Sequence, residues 1–310
     1  MRLSGQIIGG FLVTLALWQA PARADTQPSS GLILIDDVER FYRVYEAAGS
    51  HPSAEQRQTG YLDPGSIGLH QFAKLRDLTG ATLFAAIDKQ PKIFAKASDC
   101  KAVLPAVRTR LDGALAKLGA LYPASRFPPV TVLIGRGTTG GTTSATAVLI
   151  GMETLCSADW LNPDVEDRFV HLIAHEYAHV QQPAGQEDVP PASLLETALI
   201  EGGAEFVAEL ISGDIGNSHL RAWTQGRELE IEARFAADED SKDLKPWMWE
   251  GPGTPDHPGD LGYWVGYRIV KSYYLQAADK KAALRDIFLV NEATAKDFLA
   301  RSGWHPGMTQ

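Results

Sequence analysis

The sharpest chemical signal in the sequence is the run His175-Glu176-Tyr177-Ala178-His179. In a helix, positions i and i+4 lie on one face a turn apart, so both imidazoles project in the same direction. That spacing lets two ring nitrogens bind one zinc ion at about 2.0–2.1 Å. Glu176 projects about a quarter turn away, where it reaches a water beside the metal rather than the metal itself. The flanking Phe169, Val170, Leu172, Ile173, Ala174 and Val180 are apolar and predict a buried site. His171 stands four residues before His175, so a merely histidine-rich helix face is the competing reading.

A catalytic zinc needs a third protein ligand and an open position. Downstream lies Glu201-Gly202-Gly203-Ala204-Glu205, with the two acids again at i and i+4. Their neighbours Leu194, Leu195, Leu199, Ile200, Phe206, Val207, Leu210 and Ile211 are apolar, so a helix here buries the acid-bearing face. An ionised carboxylate in that setting is costly unless a metal or a partner neutralises it. Two glycines inside a helix cost about 1 kcal/mol each relative to alanine, which a close approach of the two helix backbones would explain. Glu201 is the expected third ligand. Glu205, one turn on, is placed to accept the other ring N–H of a ligand histidine, His175 first. The reversed assignment, Glu205 on the metal, and two acids on a solvated face are the alternatives.

These residues need elements to hold them. Asn162 as N-cap with Pro163 in the first turn starts a helix that runs to about Gln182, where Pro183 and Gly185 stop it. A second helix spans about Ala192 to Ser212, closed by Gly213, and a third runs from Tyr263 to about Gln276 after a Gly/Pro/Asp-rich loop at 251–262. One or two short amphipathic helices follow Lys280. Upstream, Val130 to Ile134 and Ala147 to Ile150 read as two strands flanking a polar Gly/Thr loop, and the second is a candidate sheet edge on which a peptide lies as an added strand. Gly135-Arg136-Gly137 is not a phosphate loop, because Gly140-Gly141 is followed by Thr142-Thr143 with no lysine. From about Gly31 to Tyr122 the apolar spacing is helical throughout, as at Val38, Phe41, Tyr42 and Tyr45. The fold class is therefore α+β, mainly helical. The expected organisation is a signal peptide at 1–24, a helical N-terminal lobe at 25–125 and a metal-binding domain at 126–310.

Composition narrows the function. The 310 residues carry 29 Lys plus Arg against 38 Asp plus Glu, a net charge of −9, which argues against nucleic acid or an anionic membrane surface as partner. Met1-Arg2, the apolar stretch Ile7–Trp18 and Ala22-Arg23-Ala24 have the layout of a cleaved export signal. The apolar stretch falls short of the roughly 20 residues a membrane span needs. Cleavage after Ala24 removes two arginines and no acid, taking the charge to −11. The expected address is periplasmic or secreted, with no membrane attachment after cleavage. In an oxidising compartment Cys100 and Cys156 can pair, which would contribute roughly 4 kcal/mol in the chain-entropy model; two buried free thiols is the other reading.

An H-E-x-x-H followed by E-x-x-x-D/E on a second helix resembles the gluzincin metallopeptidases, the thermolysin-like clan. A closer resemblance covers most of the mature chain and is to a bacterial family of uncharacterised zinc-dependent proteases. The matching stretches are Ile134-Gly135-Arg136, Gly140 to Ser144, His175 to His179, Glu201 to Gly213 and Asp260 to Tyr267. The resemblance implies a small mixed sheet over the metal helix, one zinc per chain and hydrolysis of a peptide or protein substrate with Glu176 as general base. It also implies a downstream Tyr or His that stabilises the oxyanion. Tyr263 and Tyr267, on one face of the third helix, are the candidates, and His257 in the preceding loop is the outsider. The clan often has Asp where this chain has Glu205. A non-catalytic, zinc-stabilised binding protein on the same scaffold is the alternative, and Glu176 argues against it, since a purely structural site needs no general base.

Overall fold

The computed structural model describes residues 33–144, 146–183, 192–245 and 247–309. The export signal expected at 1–24 lies outside the described residues. The chain is mainly helical, with one small mixed sheet of four strands. Before the sheet come α1 (Asp36–Ala47), α2 (Ala54–Arg57), α3 (Ile67–Leu75), α4 (Gly80–Lys89), α5 (Pro91–Ala97) and α6 (Leu104–Leu121). The strands are β1 (Ile33–Leu34), β2 (Val130–Leu133), β3 (Gly141–Thr143) and β4 (Val148–Gly151), in spatial order β1-β2-β4-β3. Ile33–Leu34 begins the stretch read from sequence as helical; it instead pairs parallel with β2.

The two apolar runs at 130 and 147 are strands, but they do not form a hairpin. β2 and β4 run parallel, and the Gly/Thr loop between them supplies β3, antiparallel to β4. The expectation that the strand at Ala147–Ile150 is a sheet edge is therefore corrected. β4 is interior, with all four residues buried, and β3 is the edge. A continuously apolar strand such as Val-Leu-Ile belongs inside a sheet covered on both faces.

Register assigns those faces. Thr131 pairs with Leu149, and Leu149 with Thr142, so these three side chains share one face. α3 covers it so closely that a Cβ on Gly68 would fall 2.3 Å from Thr131 Oγ1. The other face, with Gly141, Thr143, Val148 and Ile150, lies over the helix that carries the histidines. Tyr61 ties the N-terminal helices to the sheet: its hydroxyl donates to Ile134 O at 2.8 Å and accepts from Ile134 N at 2.9 Å.

After β4 follow α7 (Met152–Ser157), α8 (Val165–Gln181), α9 (Leu194–Ser212), α10 (His219–Thr224), α11 (Glu228–Asp238), α12 (Leu261–Gln276), α13 (Lys280–Phe288) and α14 (Ala295–Arg301). α8 starts two residues later than the sequence suggests. Asp164, not Asn162, is the N-cap and accepts from Asp167 N at 3.0 Å, while Asn162 turns the chain by accepting from Asp164 N. Ser193 caps α9, and Gly213 closes it at φ 106°, a left-handed conformation that favours glycine. Cys100 and Cys156 form a disulfide with Cα atoms 6.0 Å apart, tying the segment before α6 to α7. Among the described residues no helix is long and apolar enough to cross a membrane.

α9 packs against both α8 and α12. The close approach that explains Gly202 is to α12 rather than to α8: a Cβ there would lie 2.1 Å from Gly266 C and Tyr267 N. In return, a Cβ on Gly266 would lie 1.8 Å from Ala198 O. Two helices can touch backbone to backbone only where both lack side chains. Gly203 is not part of this contact; its Cβ would meet only Ile287 Cγ2, at 3.2 Å.

Candidate metal centre

α8 and α9 bring three donor atoms to one point. His175 Nε2 and His179 Nε2 are 3.0 Å apart, and Glu201 Oε2 lies 3.3 Å from the first and 3.2 Å from the second. Ligands about 2.0–2.1 Å from a tetrahedral zinc sit about 3.3 Å from one another, so this triangle matches three corners of such a site. Among the described residues it is the one cluster of His, Cys, Asp and Glu with that geometry.

The chemistry of the donor set fits a cation. His179 Nδ1 is 2.7 Å from Gln182 Oε1, and Gln182 donates its own amide N–H to Ile200 O at 3.1 Å. Gln182 must therefore accept from His179, which places the ring proton on Nδ1 and frees the Nε2 lone pair. His175 Nδ1 faces Glu205 Oε1 at 3.3 Å, and that carboxylate favours a proton on Nδ1 in the same sense. Glu205 is almost fully buried and is steadied by Asn217, whose main-chain N and side-chain Nδ2 donate to it at 3.3 and 3.0 Å. Two lone pairs and a carboxylate oxygen then converge with no internal donor between them.

Charge shifts express the same demand. Burial would raise the Glu201 carboxyl, but His179 and His175 outweigh it and hold the group well below the usual carboxylate range. Burial would lower His175, yet Glu201 and Glu205 push it well above its ordinary value. His179 is raised too: Glu201 overcomes burial and the neighbouring His175. The three side chains together draw positive charge into the site.

Glu176 stands beside the triad under β3. Thr143 Oγ1 donates to Glu176 Oε2 at 2.6 Å and lies 3.1 Å from the Glu176 main-chain oxygen. A Cβ on Gly141 would fall 2.5 Å from Glu176 Oε1, so a larger residue there would displace that carboxylate. The edge strand thus fixes the carboxylate from above. Sequence reasoning found Glu176 by spacing but missed Thr143 and Gln182, whose roles depend on contacts across the fold.

The three oxyanion candidates go to different places. The Tyr263 ring lies over that of His175, centroids 6.3 Å apart and planes inclined by 26°. Burial first, then Glu201 and Asp260, push its phenol well above the ordinary value, so the hydroxyl keeps its proton. Tyr267 is engaged elsewhere: its hydroxyl donates to Glu209 at 3.0 Å and accepts from Lys271 Nζ at 2.7 Å. His257 is exposed on the 251–262 loop, bordering a shallow depression with Trp223, Arg227 and Asp256. His171 stays outside the triad, its Nδ1 2.8 Å from Ser212 Oγ. Asp260, which precedes α12 at φ 63°, accepts from Glu250 N at 2.7 Å. Its carboxyl is pushed up to about 6 by burial, aided by Glu201.

Residues 152–295 match the model of a family described as "Predicted Zn-dependent protease (DUF2268)". That span includes His175, Glu176, His179, Glu201, Glu205 and Tyr263. No curated protein and no solved structure matches the chain.

Proposed function

We propose that this chain is an exported zinc metallopeptidase of gluzincin type, in which His175, His179 and Glu201 hold one zinc ion and Glu176 is the general base. The observation that carries the reading is the convergence of three metal-competent atoms within 3.0–3.3 Å beside a buried carboxylate that is not one of them. A purely structural site closes its fourth corner with a further ligand, whereas here Glu176 flanks the triad and no fourth His, Cys, Asp or Glu joins it among the described residues. When bound, zinc would polarise the substrate carbonyl and lower the pKa of water to about 7.

The rest falls to the chain itself. Glu176, oriented by Thr143, accepts the proton of the attacking water and passes it to the leaving amine. Tyr263 donates a hydrogen bond to the oxygen that becomes negative. Tyr267 is not needed for this, since Glu209 and Lys271 already occupy its hydroxyl. Glu205 and Gln182 hold the two imidazoles in one tautomer.

β3 supports a substrate track. Gly140–Gly151 and Ser144–Ala147 are hydrogen-bonded pairs, so by alternation Thr142 bonds inward to Leu149. The N–H and C=O groups of Gly141 and Thr143 therefore face outward, next to Glu176. An extended peptide adding to this edge would run past the base and the metal triad. Export rests on the leader at 1–24 and agrees with the Cys100–Cys156 bridge, which an oxidising compartment favours.

The test is Glu176→Gln. Elemental analysis should find zinc retained, while hydrolysis of a peptide library falls to background. Full activity in this variant would remove the base assignment, and wild-type protein without chelator-sensitive hydrolysis would remove the peptidase reading.

A further inference from the structure

The face of β3 turned away from Glu176 carries a cation without a counter-charge. Arg76, at the C-terminal end of α3, donates from Nη2 to Thr142 Oγ1 at 2.5 Å. A guanidinium has five N–H donors in a fork matched to carboxylates. Among the described residues the hydroxyl of Thr142 is its one side-chain partner, and it makes no ion pair, not even with the adjoining Asp77. The nearby polar groups are already satisfied: Gln71 donates to Thr146 Oγ1 at 2.8 Å and accepts from Ser144 Oγ at 2.9 Å. Arg76 is part-buried, and its remaining donors carry no counter-charge.

Strand geometry says what meets it. In a peptide added along β3, side chains alternate between the α8 face, with Glu176 and the metal triad, and the α3 face. The substrate residue directly opposite Thr142 presents its side chain on the same face as Thr142, about 4.5–5.5 Å away between Cβ atoms. An acidic side chain of ordinary length reaches the Arg76 fork from that position.

Resting on the peptidase reading, we propose that Arg76 is a specificity-determining residue that selects substrates with Asp or Glu at the position opposite Thr142, close to the scissile bond. The interaction is made on the sheet face opposite the chemistry, so it selects the peptide register without touching the reacting atoms.

The experiment uses zinc-loaded mature protein and pairs of peptides identical except for Glu against Gln, or Asp against Asn, walked across the positions flanking the cleaved bond. At one position wild type should show kcat/KM about tenfold higher for the acidic member, a preference that shrinks as salt rises. Arg76→Gln should bring that ratio near one, Arg76→Glu should invert it, and Arg76→Lys should keep most of it. A ratio near one at every position in wild type, or a preference that survives in Arg76→Gln, overturns the proposal while leaving the peptidase reading intact. A merely structural Arg76 would slow both members of each pair alike and leave the ratio unmoved, which also overturns it. If wild type cleaves no member of any pair, the peptidase reading fails and takes the proposal with it.

Discussion

Adjacent glycines in one helix make a demanding test of how the site is held. At Gly202 an added methyl would lie 2.1 Å from the α12 backbone, whereas ordinary contact begins at 3.4 Å, so α12 must retreat by about 1.3 Å. The obstacle is main chain and cannot rotate aside. Overpacking of this kind costs about 3 kcal/mol, and the gain in helix propensity offsets about 1. Gly202→Ala should therefore lose about 2 kcal/mol and melt about 3 °C lower. Gly203→Ala meets only the end of Ile287 at 3.2 Å, so its melting temperature should stay within about 1 °C of wild type. Function should follow the same split. Gly202 adjoins Glu201, and the contact it makes, at Gly266, is one turn from Tyr263 on α12. A shift of that size at a catalytic group can cost about a hundredfold in rate. Thermal melts of the chelated and zinc-loaded forms, with steady-state hydrolysis, decide the matter. Gly202→Ala melting at or above wild type, or Gly203→Ala falling as far, would refute the backbone contact as the reason for the glycine.

Further outcomes follow from the same geometry. Glu201→Ala should lose most metal affinity by competitive chelator titration, and unchanged zinc stoichiometry would move the third ligand to Glu205. Tyr263→Phe should lower kcat by about 10–100-fold with little change in KM, while Tyr267→Phe should mainly lower stability; equal kcat losses would contradict the separation seen between the two hydroxyls. His219, packed edge-on to Trp160, is lowered by burial from 6.5 to about 4. Its folded value lies below the unfolded one, so its contribution is fully present above about pH 6.5 and drains away as pH falls towards 4. In chelated protein, His219→Phe should flatten the drop in melting temperature over that window, and an unchanged profile would exclude His219 as its source.

Local spacing made the candidate metal site legible, because i and i+4 on a helix fix direction whatever surrounds the helix. His175, His179, Glu201 and Glu205 could all be read this way, and so could the three helices that carry them. The sheet was harder. Gly141-Thr142-Thr143 has no apolar alternation, and its strand character comes from pairing with β4 and packing on Glu176, both non-local. The interior place of β4 is likewise a matter of topology, although its unbroken apolar run hinted at it. Tyr263 and Tyr267 differ by one turn, and in sequence nothing separates them. The presence of Glu209 and Lys271 beside one of them is a tertiary fact.

The bond between Cys100 and Cys156 acts as a covalent lasso. It spans 56 residues, and α6, β2, β3 and β4 all lie inside it while His175, His179 and Glu201 do not. The two halves of the candidate centre are therefore secured by unlike means: the strand that grips Glu176 by a thiol-sensitive ring, the triad by the ion it would bind. Dithiothreitol should loosen the first and a chelator the second. In chain order the whole noose also precedes His175, so during synthesis the rail emerges ahead of the residues that would capture a metal.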